Sequence, residues 1–432
     1  ANLPFLKLRD VLPLIITGDF ISNEMLKKID LNLLSGDIND LNLKITLNES
    51  NKIEIERISA IFEKLDIASF SGANSIANLS GQLIAIKNSI DIDLDSNFTK
   101  LKYRNLYSEE KVIAKINGNL SYNNDSKNEL LINNLDIIYN EISSTSNGKI
   151  IFHKNSPLID IIMNLNESNI EYMASIIPDI ENPKLHTWLN DAVLGGKITS
   201  GTITYKGIEH AESFMDNFTI TANITETNID YNEEWPPIDN IEAEIRIIDN
   251  NLSSKIISGK IFDTNINAST IFIDNLSGDN QNIIISTNGY TNTNDLENFI
   301  KQSPLRKNDT FLKQINNING NLYLYLNLDI PLGPEEITFD GHVSLENNSI
   351  KSTFPKFNLK DVNGDIYFSK ESLHANNIDA TYINIPIKLN IPTTEYQDLT
   401  VMPFEISLLA NESFIFDRIT TFFPNLEHNI DN

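Results

Sequence analysis

Period-two alternation of apolar and polar residues runs through almost the whole chain, and nothing else constrains its fold as much. In the segment 321–329, Leu322, Leu324, Leu326 and Leu328 point one way, and mostly polar side chains (Asn321, Asn327, Asp329) point the other. Ile90, Ile92 and Leu94 alternate with Asp91, Asp93 and Asp95, and Ile383, Ile385, Ile387 and Leu389 alternate with Asn384, Pro386, Lys388 and Asn390. Leu43, Ile45 and Leu47 repeat the pattern, as do Ile53 and Ile55. A strand turns successive side chains to opposite faces, so this spacing predicts half-buried antiparallel strands with one apolar and one solvated face. Strands of a parallel α/β sheet are apolar on both sides, and that class is excluded.

A recurring word punctuates the strands: a small polar residue, glycine, any residue, then an aliphatic. It occurs at glycines 36, 81, 118, 148, 201, 259, 320, 341 and 364 and takes up nine of the 17 glycines. Asn-Gly, Ser-Gly and Asp-Gly supply the positive φ of tight turns or bulges, so the word is expected at hairpin turns or at bulges. The gaps between these glycines follow no constant period, which argues against a β-helix, whose coils recur every 20 to 25 residues or so. A longer repeat relates residues 240–270 to 361–391, with Ile241, Leu252, Ile257 and Ile266 matching Val362, Leu373, Ile378 and Ile387. Repetition at this scale suggests modules that stack on their neighbours.

Two stretches read as helical. Glu171 to Ile177 predicts a short helix ending before Pro178. Pro183 then opens a second, with Leu185, Trp188, Leu189 and Ala192 on one side and Gly195-Gly196 as its stop. A lesser helix is expected from Thr293 to Gln302, capped by Asn294 or Thr293.

Composition narrows the function more than it names one. Lys and Arg number 33 against 59 Asp and Glu, a formal charge of −26 that repels nucleic acid and anionic headgroups. Cysteine is absent, which rules out disulfides and thiolate metal sites. The six histidines are scattered and none stands at metal-ligand spacing from a second histidine or an acid on a helix. Asp91-Ile92-Asp93-Leu94-Asp95 begins like a calcium loop, but Ser96 and Lys102 stand where glycine and glutamate are needed, so it reads as an acidic strand face. No nucleophile elbow or phosphate loop occurs. Catalytic, cofactor and metal residues are therefore expected to be none. The apolar run Val11 to Ile16 is too short to span a bilayer. The chain is expected either to be soluble or to be part of a longer anchored protein, and the polar ending Asn429 to Asn432 fits the second case.

The segments Tyr172 to Pro178, Leu185-His186-Thr187-Trp188-Leu189 and Gly195-Gly196, then Trp235-Pro236-Pro237 followed by Ile241 to Ile245, resemble the YhdP branch of the AsmA-like bacterial envelope proteins. Leu33 to Leu41 and Ser71 to Gly81 resemble its upstream blocks, and the similarity keeps its order over roughly residues 10–395. The resemblance implies a long, curved antiparallel sheet built of repeated modules, forming an elongated U-shaped groove with a short helical insertion. Residues 1–165 would be a first groove segment, 166–196 the insertion and 197–432 a second groove segment that holds the repeat. It further implies bridge-type transfer of phospholipid between inner and outer membranes by a non-enzymatic, periplasmic portion of an inner-membrane-anchored protein. Its partners would be phospholipid acyl chains, the membrane anchor and proteins on the outer-membrane side, with no nucleic acid. Some 20 to 25 strands at about 4.8 Å would extend on the order of 100 Å.

The candidate groove-lining residues are Leu322, Leu324, Leu326, Leu328, Ile383, Ile385, Ile387, Leu389, Ile90, Ile92 and Leu94, and the candidate structural helix residues are Leu185, Trp188 and Leu189. Alternation alone leaves a trough and a stack of β-sandwiches both open and leans to the sandwich, where the same faces pack on each other. The resemblance favours the trough. A surface adhesin built as a sandwich or β-helix is the alternative function.

Overall fold

The computed structural model describes residues 2–17, 20, 34–47, 53–69, 74–104, 107–124, 128–153, 156–176, 183–208, 217–276, 278, 281–304, 315–353, 356–395 and 405–408. Two compact units divide it: Ala1–Tyr231 with Asn240–Ile257 and Ile271–Asn282, and Asn232–Asp239 with Ser258–Thr270 and Ile283–Asn432.

Strands β1 (Asn2–Lys7), β2 (Ser35–Leu47), β3 (Ile53–Ala68), β4 (Asn74–Ile86), β5 (Ser89–Tyr103), β6 (Lys111–Asn123), β7 (Glu129–Tyr139), β8 (Ile142–Ile151) and β9 (Leu158–Leu165) open the first unit. Helix α1 (Leu8–Thr17) sits between the first two strands. The two-residue β10 (Ser168–Asn169), a 3-10 turn (Ile170–Ser175), helix α2 (Pro183–Ala192), β11 (Val193–Ile208) and β12 (Phe218–Ile229) follow. Each strand from β1 to β8 pairs antiparallel with its successor, β9 pairs with β11, and β11 pairs with β12. The result is a long antiparallel meander, as the alternation requires. Next come β13 (Ile238–Ile248), β14 (Asn251–Ile261), β15 (Thr264–Ile273), β16 (Asn282–Thr291) and helix α3 (Thr293–Lys301). In the second unit β17 (Ile315–Pro331), β18 (Thr338–Thr353), β19 (Lys356–Ser369), β20 (Ser372–Tyr382), β21 (Ile385–Glu395) and β22 (Glu405–Leu408) form another antiparallel meander in sequence order. The sequence offset that relates 240–270 to 361–391 also carries β14 onto β20, end to end, and the start of β15 onto the start of β21.

The polar-glycine word has a different place from the turn half of its expectation. All nine of its glycines lie inside strands, and several stand at breaks in register, as between Ser35 and Asp37, Asn117 and Asn119, and Asn319 and Asn321. They make bulges, which bend a strand and raise its twist. Gly118 has φ +146°, and a Cβ there would stand 2.5 Å from the Asn134 carbonyl oxygen. The tight hairpins use other residues: Asn140-Glu141, Asp249-Asn250 and Ile383-Asn384 each hold two consecutive positive φ angles, as a type I′ turn demands. Ile383 is therefore a turn residue, 41% exposed, and the strand starts at Ile385.

Asparagine supports the bulges. The backbone N–H of Asn134, at φ 48°, donates to Asn147 Oδ1 at 2.9 Å. The N–H of Asn347 donates to Asn363 Oδ1 at 2.9 Å, and that of Asn377 to Asn390 Oδ1 at 2.7 Å. At these three positions the N–H turns out of the ladder and a neighbouring strand's side chain accepts it.

The helical stretch agrees with expectation in place and differs in its ends. It begins as the 3-10 turn, capped by Asn169, whose Oδ1 accepts from Glu171 N at 3.0 Å. Ile177 and Pro178 lie outside the described residues. Helix α2 stops at Ala192, before Gly195-Gly196, because Val193 already pairs with Ile229 and the Ala192 carbonyl accepts from Asp230 N at 2.8 Å. Strand pairing ends this helix; the glycines belong to β11. Helix α3 is capped by Asn292, one residue before the expected caps.

Candidate functional site

Registers in the first unit gather the apolar positions into rows that cross the strands. Ala60 faces Leu83, Leu83 faces Ile92, and the line continues through Leu120, Ile132, Gly148, Ile161 and Tyr205 to Phe218, nine strands from β3 to β12. A parallel row runs Ile58, Ala85, Ile90, Tyr122, Leu130, Ile150, Ile159. No charged residue interrupts either row. The opposite face is mostly polar, with Ile84, Leu131 and Ile162 set among its polar residues: Ser121 Oγ donates to Asp91 at 2.6 Å, and Asn119 Nδ2 and Gln82 Nε2 donate to Asp93 at 2.9 and 3.1 Å. The Asp91–Asp95 stretch is thus a solvated ladder. Among the described residues no group of three or more His, Cys, Asp or Glu could hold a metal ion.

Burial changes along the rows. Near β2 and β3 the face is covered by Leu8 and Val11 of α1 and by Phe20, which join Ile38, Leu41, Ile58 and Phe62 in one core cluster. Farther along, Leu83, Ile92, Leu120 and Ile161 are only half-buried inside their strands, and Ile90, Leu130, Ile150 and Ile159 are half-buried one residue from a strand end. Sandwich packing would cover such side chains with a second layer. Of the sequence candidates here, Leu94 lies in the cluster, 5% exposed, and Ile90 and Ile92 are half-buried and packed against it.

The second unit carries the same design with a tighter lining. Leu324 faces Val343, which faces Ile366, then Ala375 and Ile391. Leu322, Leu326 and Leu328 are 0%, 1% and 2% exposed, whereas Leu324 is half-buried. Ile385 and Ile387 are buried and Leu389 half-buried in a cluster that also contains Leu322 and Leu345. The structure thus brings Leu322, Ile385, Ile387 and Leu389 together and leaves Ile383 out. Trp235 is a further anchor, its ring 5.6 Å from Phe299 and 5.7 Å from Phe339.

Helix α2 is tied down by Trp188, half-buried, whose Nε1 donates to the Tyr231 carbonyl at 3.1 Å. Leu189 is half-buried beside it; the side chain of Leu185 lies outside the described residues. Burial pushes the Tyr231 phenol far above its usual range, and Asp230 adds to the shift. Two ion pairs of the first unit shift the titration of a partner. Lys44 sits 2.7 Å from Glu56 and, by its hydrogen bond, holds that carboxyl below its usual value. Glu226, 2.9 Å from Lys197, raises the ammonium's pKa in the same way. Sequence reasoning missed α1, the Asn-supported bulges and the core role of Trp235. Only Asn292 and the glycine word carried any local signal for what was misplaced.

In each unit the described strands turn one mostly apolar face that other residues cover only in part. The chain belongs to the YhdP protein family, whose sequence model matches residues 1–403. It is 22% identical over 368 residues to a protein of Escherichia coli (strain K12) named intermembrane phospholipid transporter YhdP, an alignment that covers 84% of this chain and 29% of that relative. No solved structure matches it. Among the described residues no helix is long and apolar enough to cross a membrane.

Proposed function

We propose that the chain is a non-catalytic segment of a bridge for phospholipid between two membranes, with acyl chains running over the apolar rows and headgroups kept in solvent at their edge. The observation that carries this reading is the row from Ala60 to Phe218, unbroken by charge and only partly buried at Leu83, Ile92, Leu120 and Ile161. Apolar surface left this open costs stability, about 25 cal/mol per Å², so its retention needs a ligand that covers it. Family membership and the name of the Escherichia coli relative support the same cargo. In this reading residues 1–165 and 197–432 are two groove segments, and 166–196 is an insertion packed on the sheet through Trp188. The lining residues left open to acyl chains are Ile90, Ile92, Leu324 and Leu389, which are half-buried; Leu94, Leu322, Leu326, Leu328, Ile385 and Ile387 are packed core. The segment works in the periplasm within an inner-membrane-anchored protein, handing lipid to partners at the outer membrane.

Photoreactive side chains test this. Placed at Ile92 or Ile161, they should give phospholipid adducts in intact cells; placed at Asp91 or Asp93, on the other face, they should not. Equal labelling of both faces would defeat the proposal.

A further inference from the structure

Helix α3 lies on the apolar face of the second unit over a small cavity of about 30 Å³. Ile261, Ile266, Leu324 and Leu326 line it from the strands, Leu296 and Phe299 from the helix. Thr264, Thr287, Asn288, Thr291 and Asp295 also line it, and at this size only displacement of the helix makes room for an acyl chain.

Among the described residues, the polar bonds that tie this helix to the strands stand at its start. At its start, Asp295, 6% exposed, accepts from Thr264 Oγ1 at 2.8 Å and from Asn292 Nδ2 at 3.1 Å, and Thr293 Oγ1 donates to the Ile318 carbonyl. Thr264 also shares a 2.7 Å hydrogen bond with Thr291. In its last turns the polar contacts stay inside the helix: Lys301 pairs with Glu297 at 3.2 Å, and Ser303 Oγ donates to the Ile300 carbonyl at 3.2 Å. What holds that end to the rest is apolar contact, led by Phe299 against Trp235. Apolar contact can be exchanged for an acyl chain at little cost, since one hydrocarbon surface replaces another. The Asp295–Thr264 bonds have no such substitute.

We propose that the cavity beneath α3 is a binding station for a phospholipid acyl chain, and that α3 is its cover, hinged at Asn292–Asp295 and opened by displacement of Phe299. This rests on the lipid-path reading above. It also accounts for Leu324: half-buried between Leu322 and Leu326, which are 0% and 1% exposed, it is the side chain that an entering chain meets.

The test uses the full chain, purified from cells, with a photoreactive residue at Leu324 and a reference at Ile92 in the first unit. Opening the cover with Phe299→Ala should raise phospholipid adducts at Leu324 several-fold and leave those at Ile92 unchanged. Thr264→Val loosens the hinge and keeps the apolar contacts; it should raise them too, and it decides the matter if Phe299→Ala fails to fold. Adducts at Ile92 with none gained at Leu324 in a folded variant overturn the cover while sparing the lipid path. Adducts at neither position sink the lipid path itself.

Discussion

Aspartate at Ile92 and at Leu322 should have opposite consequences, although both replace an aliphatic on an apolar strand face. Leu322 is 0% exposed. Its replacement gives up about 2–3 kcal/mol of apolar burial. The carboxyl it installs must stay neutral at a pKa raised by roughly 3–5 units, which costs about 4 kcal/mol at neutral pH, the gap of about 3 units between pH 7 and its unfolded pKa. The total, on the order of 6–7 kcal/mol, is comparable to the whole stability of a typical domain, about 5–15 kcal/mol, and the second unit should unfold. Ile92 is half-buried, so its carboxylate keeps its water and the loss is about 1–2 kcal/mol of burial. That variant should stay folded and lose phospholipid contact, because an ionised group now interrupts the row. The sign of the pH effect follows. A folded-state pKa raised above the unfolded value of about 3.9 means the protonation part of the Leu322→Asp penalty is absent below that pH and grows as pH rises, while the lost burial remains at every pH. Urea denaturation of both variants at neutral and acid pH, with lipid photolabelling of the folded one, makes the comparison. Equal destabilisation would show that Ile92 is ordinary core, and intact lipid contact in folded Ile92→Asp would take β5 off the path.

Gly118→Ala should destabilise by about 1–3 kcal/mol, since it forces a Cβ into the positive-φ region and against the Asn134 carbonyl; chemical denaturation reads it, and a neutral result would remove the bulge from the argument. Trp188→Phe keeps the ring and deletes the Nε1 bond to Tyr231, for a loss of about 1 kcal/mol in the same assay, and Trp188→Ala should lose more. Alkaline titration followed by tyrosine absorbance should find one phenol that ionises only as the protein unfolds. Tyr231 has a raised folded pKa, so its contribution is full below about pH 10 and fades above it. Tyr231→Phe should abolish that late step.

Strands were legible because their cause is local: a side chain's face is fixed by its parity, so Ile90-Asp91-Ile92-Asp93 states its own orientation. Bulge positions were half-legible. Asn117-Gly118 announces a residue free to take positive φ, but whether the chain turns back or merely bends depends on what pairs beside it, and that is tertiary. Ile383-Asn384 failed for the same reason, an isoleucine held at φ 47° in a turn by the pairing of β20 with β21. Helix α2 gave its start through Pro183, whereas its end was set by Val193 joining a ladder that no neighbouring residue reveals. How open the apolar face stands was beyond the sequence altogether. Ile92 and Leu322 sit in equally regular alternation, and what lies above each decides which is solvated.

Because every strand of β1 to β8 pairs with its immediate successor, the meander has a natural growth unit. Insertion of one hairpin into a turn such as Asn140-Glu141 would separate the flanking strands, supply two new ladders and restore the original direction and facing of everything downstream. The apolar rows would lengthen by two strand spacings, about 10 Å, and no other contact need be redesigned. Insertion of a single strand would reverse the chain instead. Evolution can therefore set the reach of such a protein in steps of about a nanometre, by copying and deleting hairpins, much as a ruler is cut to the gap it must measure.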